Sequence, residues 1–375
     1  MVVESIGVYI FIIVVLFVVA LWGWHKWNET KKRRSSEYFY SGLLKLIHGD
    51  RRGALVDLKH AAQESSENVT SYILIGDILR EEKKPAKALQ VHKSIAIRSD
   101  VKENEKADAY KSLILDQIAL GMHKDALQTA KKLLSIRKDD WAVNIYLEEL
   151  EANGNWEEAI NFLSRLPKTE KRDSLLSFYE VELGKKFVSE GENRKGRIHF
   201  KEAIKLNKDC YPAYIEIGKA YVKDERTDDA IAWWTNFSAQ FPDKIYLVIE
   251  PLEKAFYDRG KFQQVVNFYE TLINEGKSSR EIFFALSNIY VKMGDYPSAI
   301  SSLERLDEKD KETKIRLMYL YFQNQQFDKI EGLLKEIYDE TISAKRKFIC
   351  GNCGYESELP LWRCPRCNEW NSFNI

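Results

Sequence analysis

The sequence predicts an all-α protein, a solenoid of helical hairpins that carries a small metal-binding module at its C-terminal end. Three observations support this fold class. Small and large residues recur in a fixed pattern about every 34 residues over most of the chain. Glycine (18) and proline (8) are sparse among the 375 residues, which favours helix throughout. Four of the five cysteines fall as two Cys-x-x-Cys pairs near the end of the chain.

The charge balance argues against a nucleic-acid-binding protein. Lysine and arginine together number 57, as do aspartate and glutamate, so the formal net charge at pH 7 is zero. A chain with this balance has no overall positive field that would attract a phosphate backbone. We therefore expect partners that are proteins and no nucleic acid.

The N-terminal segment, residues 1–27, is predicted to be a transmembrane anchor. Residues 5–24 contain no charged side chain, and twenty helical residues span roughly 30 Å, the thickness of one hydrocarbon core. Lysines and arginines follow in residues 26–34, so the positive-inside rule places the rest of the chain in the cytoplasm. The alternative is a cleaved signal peptide, which is disfavoured because a basic n-region and a small-x-small cleavage site are missing. Residues 28–34 are then a basic juxtamembrane linker.

The repeated pattern is clearest in residues 211–244. Apolar residues at three- and four-residue spacing predict two amphipathic helices packed as a hairpin. We expect the small Gly218 and Ala230 to let the two helices approach each other, with the aromatic Tyr221 and Trp234 filling the space around them. The length and the placement of these residues resemble those of a tetratricopeptide repeat.

The second helix of this repeat also carries signals at its two ends. Thr227 is expected to cap its N-terminus, and the following Asp228 and Asp229 favour the positive end of the helix dipole. Pro242 is expected to end the helix.

Residues 35–344 accommodate about nine such repeats. Gly42 and Gly76 lie one period apart, and short polar insertions are expected at residues 101–106 and 168–173. The last repeat matches the pattern least well, so we expect it to cap the array. A single repeat cannot bury its own apolar face, so neighbouring repeats must stack to form a common core.

The first helix of each repeat is expected to face the concave side of the solenoid, where a peptide or a protein surface would bind. The side chains placed there are of mixed charge, although most charges on any solenoid are simply solvated. These candidate groove residues are Asp77, Arg80, Asn144, Glu148, Glu151, Lys185, Lys219, Lys254 and Asn288.

Residues 345–375 are predicted to form a small metal module. Cys350, Cys353, Cys364 and Cys367 supply two sulfur pairs on tight turns, which together match a closed tetrahedral four-thiolate site for zinc or iron. A disulfide or thiol-redox role is the alternative, and the cytoplasmic location counts against it. We expect the aromatic side chains of this segment to pack around the site or against the last repeats. They are Phe348, Tyr355, Trp362, Trp370 and Phe373.

The chain is predicted not to be an enzyme. It contains no G-x-S-x-G, H-E-x-x-H or G-x-G-x-x-G motif. The six histidines are scattered and are expected to be surface or packing residues, and Cys210 is expected to be a small packing side chain.

An N-terminal anchor, a tetratricopeptide-like array and a rubredoxin-like tail in this order resemble the lipopolysaccharide assembly protein B family. The most specific matches are Cys350-x-x-Cys353-Gly354-Tyr355 and Trp362-x-Cys364-Pro365-x-Cys367-x-x-Trp370. The resemblance implies a single-pass protein of the bacterial inner membrane whose four tail cysteines bind one metal ion. It also implies an adaptor that brings a membrane AAA+ protease to the committed deacetylase of lipid A synthesis.

Two other classes stay open at this point. One is a structural scaffold for envelope assembly without a proteolytic role, and the other is a rubredoxin-type electron-transfer protein. The sequence also leaves open whether the chain forms a homodimer.

Overall fold

The computed structural model describes the backbone of residues 2–343, 348–359 and 361–374. It describes the side chains of residues 15–339, 341, 348–359 and 361–373. The chain divides into two compact units, Met1–Arg172 and Asp173–Ile375.

The first unit consists of consecutive helices joined by short turns. The helices are α1 (Val2–Ile47), α2 (Arg51–Glu64), α3 (Val69–Glu81), α4 (Pro85–Ala96), α5 (Glu103–Ala119), α6 (His123–Ile136), α7 (Asp140–Ala152) and α8 (Trp156–Ser164). The C-terminal part of α1 packs on α2, and the later helices pair in the same way. Small and branched apolar side chains such as Ala54, Leu58 and Ile75 are buried between them.

The second unit continues the pattern and ends in a small sheet. Its helices are α9 (Glu170–Ser189), α10 (Asn193–Leu206), α11 (Tyr211–Lys223), α12 (Thr227–Gln240), α13 (Ile249–Asp258), α14 (Phe262–Asn274), α15 (Arg280–Lys292), α16 (Tyr296–Glu304), α17 (Lys311–Gln323) and α18 (Phe327–Ser343). A short 3-10 helix, Pro242–Leu247, precedes α13. The strands β1 (Phe348–Cys350), β2 (Glu356–Ser357) and β3 (Phe373–Asn374) form an antiparallel sheet in the order β2-β1-β3.

In the described residues the eighteen helices form nine consecutive hairpins, and the predicted helical-hairpin solenoid is confirmed. Glycines on the first helix of a hairpin lie against the large side chain sixteen positions further on. The pairs are Gly42 with Leu58, Gly76 with His92, Gly184 with Phe200, and Gly218 with Trp234. A Cβ added at Gly218 would lie 2.2 Å from Trp234 Cε2, so the close approach of α11 and α12 requires glycine there.

The surroundings of two helical glycines predict opposite effects when each is replaced by alanine. Gly218→Ala is expected to destabilise the second unit by about 1–3 kcal/mol, because the fully packed indole of Trp234 must move. Gly332→Ala in α18 adds a methyl group into open space and is expected to stabilise its helix by about 0.5–1 kcal/mol. Melting temperatures of the two purified variants check both signs. A Gly218→Ala protein that melts at or above the parent temperature would rule out the tight contact.

The predicted cap of α12 was wrong. Arg226 occupies the N-cap position without a side-chain cap, and Thr227 is already the first helical residue. Asp228 contributes differently: its carboxylate binds Arg259 Nη2 at 2.5 Å and Lys261 Nζ at 2.7 Å in the next hairpin. These two cations lower the pKa of Asp228 to about 2. The acidic first turn therefore links neighbouring repeats.

The predicted polar insertions are shorter than expected. Helix α9 begins at Glu170, so most of residues 168–173 is helical, and α5 begins at Glu103 within residues 101–106. Pro242 begins the 3-10 helix two residues after α12 ends, as expected for a helix-ending proline.

Helix α1 runs from Val2 to Ile47 without a break, so residues 28–34, the predicted basic juxtamembrane linker, are helical. The side chains of residues 1–14, about half of the predicted anchor at residues 1–27, lie outside the described residues. Over the part of the chain that is described, no helix has the length and apolar character needed to cross a bilayer.

Candidate metal centre

The first Cys-x-x-Cys pair lies on a tight turn that follows strand β1. The Cys350 N–H donates to the Tyr355 carbonyl at 2.9 Å, and the Gly354 N–H donates to the Cys350 carbonyl at the same distance. Gly354 has a φ of +69°, as its position after the pair predicts. The turn thereby places the sulfurs of Cys350 and Cys353 on one side.

The second pair repeats this backbone pattern. The Cys364 N–H donates to the Glu369 carbonyl, and the Asn368 N–H donates to the Cys364 carbonyl, both at 2.9 Å. Asn368 has a φ of +60°, a conformation that asparagine tolerates better than most residues. Both turns therefore have a positive φ at the residue after the second cysteine and the same backbone hydrogen bonds.

The structure brings all four predicted cysteine sulfurs together. The Sγ atoms of Cys350 and Cys367 are 3.7 Å apart, those of Cys353 and Cys364 are 3.5 Å apart, and all four lie within 4.8 Å of one another. A tetrahedron with metal–sulfur bonds of about 2.3 Å has edges of about 3.8 Å, so these separations fit a four-thiolate site. Both separations are longer than a disulfide bond, which measures about 2.05 Å.

Hydrogen bonds prepare two of the four thiols for ionisation. The Ser372 hydroxyl, 3.1 Å from Cys350 Sγ, and nearby backbone N–H groups lower the pKa of Cys350 to about 6. The Glu369 N–H lowers the pKa of Cys367. Burial raises the pKa of Cys353, and a positive ion bound at the centre would stabilise its thiolate.

This donor set fits a structural metal ion. Four sulfurs fill a tetrahedral coordination shell and leave no position for water or substrate. A bound ion would join the two turns and stabilise a segment whose strands are only two or three residues long. Zinc and iron both accept four thiolates, so the geometry is compatible with either metal.

The prediction that the aromatic residues of the tail pack around the site was wrong for the two tryptophans. Trp362 and Trp370 are 73% and 67% exposed. The Arg363 guanidinium instead lies over the Trp370 ring, with Arg363 Cζ 5.3 Å from the ring centroid. Tyr355 and Phe373 do meet edge to face, with ring centroids 6.5 Å apart.

A buried polar cluster in the first unit was missed by the sequence analysis. His92 and Asp116 are both fully buried, and His92 Nδ1 lies 2.5 Å from Asp116 Oδ2. Arg80 donates to Asp116 at 2.9 Å and to Asp77 at 2.6 Å, so these two candidate groove residues belong to the cluster. The available signal was His92 itself, a polar residue at the position where three other hairpins place leucine, phenylalanine or tryptophan against a glycine.

The other candidate groove residues lie in different surroundings. Lys254 and Asn288 line a cavity between α13 and α15, and Lys219 lines a second cavity that shares Lys254. Lys185 forms an ion pair with Glu182 on its own helix at 2.7 Å. The side chains of Asn144, Glu148 and Glu151 are exposed.

The hairpin array and the four-cysteine tail define a tetratricopeptide repeat protein with a C-terminal metal-binding module. A tetratricopeptide repeat family model matches residues 282–315, and a model described as a rubredoxin metal binding domain matches residues 348–374. The predicted resemblance to the lipopolysaccharide assembly protein B family is confirmed. The Haemophilus influenzae protein of that name is 21% identical over 82% of this chain and 80% of its own length. The Escherichia coli K12 protein is 18% identical over 95% of each chain.

A solved structure supports the fold alone. The structure of Naa15/Naa10 bound to HypK-THB matches with a TM-score of 0.59 and 15% identity. The match covers 83% of this chain and 48% of that chain, so this protein spans about half of its length.

Proposed function

We propose that this protein is a non-enzymatic adaptor in the control of lipopolysaccharide synthesis. The observation that carries the proposal is the similarity to lipopolysaccharide assembly protein B over 95% of both chains, from the first helix to the metal module. Stacked helical hairpins provide long surfaces for protein binding, which is what an adaptor needs.

In this proposal residues 1–27 anchor the chain in the bacterial inner membrane as a single span. The uncharged run of residues 5–24 and the lysines and arginines after it support a cytoplasmic body. The adaptor would then meet only partners that are in the membrane or come to its inner face.

The partners we propose are a membrane AAA+ protease and the committed deacetylase of lipid A synthesis. By holding the two together, the chain would accelerate degradation of the deacetylase and so limit lipopolysaccharide synthesis. The four cysteines would bind one zinc or iron ion that keeps the C-terminal module folded.

Deletion of the gene in the native host tests this proposal. We expect the deacetylase to survive longer after translation is stopped, and lipopolysaccharide to accumulate, because the protease loses its adaptor. Immunoblots of the deacetylase over time measure the effect. The full chain supplied in trans should restore rapid degradation, whereas a chain lacking residues 1–27 should not.

An unchanged deacetylase half-life after deletion would reject the proteolytic role. Affinity purification from native membranes, with metal analysis of the same sample, then separates the remaining classes. An eluate without the protease favours a scaffold for envelope assembly. Iron that cycles reversibly between two oxidation states favours electron transfer.

A further inference from the structure

The second unit contains a groove that runs across three consecutive first helices. A cavity of about 710 Å³ lies between α13 and α15, and a neighbouring cavity of about 270 Å³ lies between α15 and α17. Phe284, Asn288 and Val291 line both cavities, so the two adjoin along α15, and together they are called the groove. Its length along successive helices suits an extended chain better than a compact small molecule.

The groove has an apolar floor that continues to an exposed apolar end. Phe284 is buried in the floor, with the guanidinium groups of Arg280 and Arg316 at 5.0 and 4.4 Å from its ring centroid. At the α17 end, Ile315 and Tyr319 line the smaller cavity and are 52% and 55% exposed. An apolar side chain placed there would cover this surface.

The larger cavity carries more acid than base. Four carboxylates line it against two amines, those of Lys254 and Lys292. The carboxylates are those of Glu250, Glu253, Asp258 and Glu281. Glu281 is already paired with Arg280 at 3.7 Å, and Arg316 lines the adjoining smaller cavity. The excess of negative charge therefore lies at the other three carboxylates, where it favours a cationic group from outside.

Glu253 is the most buried of these carboxylates, at only 8% exposed. Its cationic partner, Lys292, lies at 3.5 Å with its own side chain 61% exposed, and the hydroxyl of Tyr269, which also interacts with the carboxylate, carries no charge. Burial raises the pKa of Glu253, because a buried charge is costly when its pairing is incomplete. A second cation that binds in the cavity would supply the missing compensation.

We propose that this groove binds an extended basic and apolar segment of a partner protein. A lysine or arginine side chain of that segment pairs with Glu253, and an apolar side chain covers Ile315 and Tyr319. The exposed amide of Asn288, at the junction of the two cavities, can both donate to and accept from the segment's backbone. This inference rests on the proposed adaptor function and names the class of segment that the adaptor recognises.

The test measures binding of labelled peptides to the purified full chain in detergent by fluorescence anisotropy. The probe is a nine-residue peptide, Ser-Arg-Leu repeated three times. Two matched peptides replace every arginine by glutamate or every leucine by serine. We expect the Arg-Leu peptide to bind, and each matched peptide to bind at least about tenfold more weakly, with affinity falling as salt rises.

Two substitutions in the chain locate the binding site. Glu253→Gln is expected to weaken the Arg-Leu peptide at least about tenfold, since the buried carboxylate pairs with the cation. Tyr319→Ala is expected to reduce the ratio of affinities between the Arg-Leu peptide and its serine counterpart. The ratio between the Arg-Leu peptide and its glutamate counterpart should stay unchanged. Glu275→Gln changes an exposed glutamate outside the groove and should leave binding unchanged.

Thermal melting shows whether the variants are folded, and Glu253→Gln should melt no lower than the parent because it removes a poorly compensated buried charge. No binding of the Arg-Leu peptide at millimolar concentration would overturn the inference, as would equal binding by the glutamate peptide or by the Glu253→Gln chain. Because this assay uses purified protein, its failure leaves the adaptor proposal standing. Conversely, an unchanged deacetylase half-life leaves the peptide result standing.

Discussion

Replacing Cys364 by serine is expected to remove the metal ion and unfold the C-terminal module, while the helical hairpins stay folded. The Cys364 sulfur is fully buried and lies 3.5 Å from Cys353 Sγ, inside the cluster of four. Structural zinc supplies about 10–16 kcal/mol of binding free energy in small metal domains. A module with three strands of two or three residues has little else to hold it.

Metal analysis and limited proteolysis measure this effect. The parent chain should contain one metal ion per molecule and resist cleavage after α18, whereas Cys364→Ser should contain none and be cut there. Circular dichroism should show nearly unchanged helix. Cys210→Ala is the matched control: Cys210 is also fully buried in the second unit but lies outside the cluster, so this variant should keep its metal. A metal-free Cys364→Ser chain with a protease-resistant module would contradict the proposed role of the ion.

Replacing Asp116 by asparagine is expected to destabilise the first unit by about 3–5 kcal/mol. The reason is that the fully buried His92 loses its partner carboxylate, and Arg80 is left with Asp77 as its carboxylate partner. Asp116 accepts from Arg80 and faces His92, and both Asp116 and His92 are fully buried. The cluster joins α3, α4 and α5, so its loss should weaken the contact between two neighbouring hairpins. Urea unfolding of the purified chain, followed by circular dichroism, measures the change.

The same helix offers a matched control. Asp108 of α5 forms an ion pair with Arg137 at 2.8 Å, and the Asp108 side chain is 53% exposed. Asp108→Asn should therefore reduce stability by only about 0–1 kcal/mol. Equal effects of the two substitutions would mean that the buried cluster does not stabilise the fold more than a surface pair does.

The hairpins could be predicted because their determinants are local. Gly218 and Trp234 lie within one 34-residue period, and the sequence alone shows a small residue where a large one must approach. The cysteine turns were equally predictable, since two residues between the paired cysteines already indicate a tight turn. In both cases the partner residues are close in the chain.

The parts that were missed depend on contacts between repeats. Asp116 lies 24 residues after His92, in the next hairpin, and no fixed spacing pairs them. Glu253 was missed because its neighbours Leu252 and Phe256 mark the buried stripe of α13, and the sequence does not show that a glutamate shares that stripe. The exposed indoles of Trp362 and Trp370 were misjudged because aromatic residues in a small module are ordinarily expected to be covered.

The unbroken course of α1 has a mechanical consequence. Helix α1 runs from Val2 into the hairpin that it forms with α2. Its N-terminal half and that hairpin therefore rotate together as one rigid body. Residues 28–34 form a helical connection of roughly 10 Å between the two, at about 1.5 Å per residue. If the N-terminal half lies in the bilayer, the height and the azimuth of the first hairpin above the lipid are set together. Inserting a few residues into this segment would rotate the first hairpin about the helix axis by about 100° per residue.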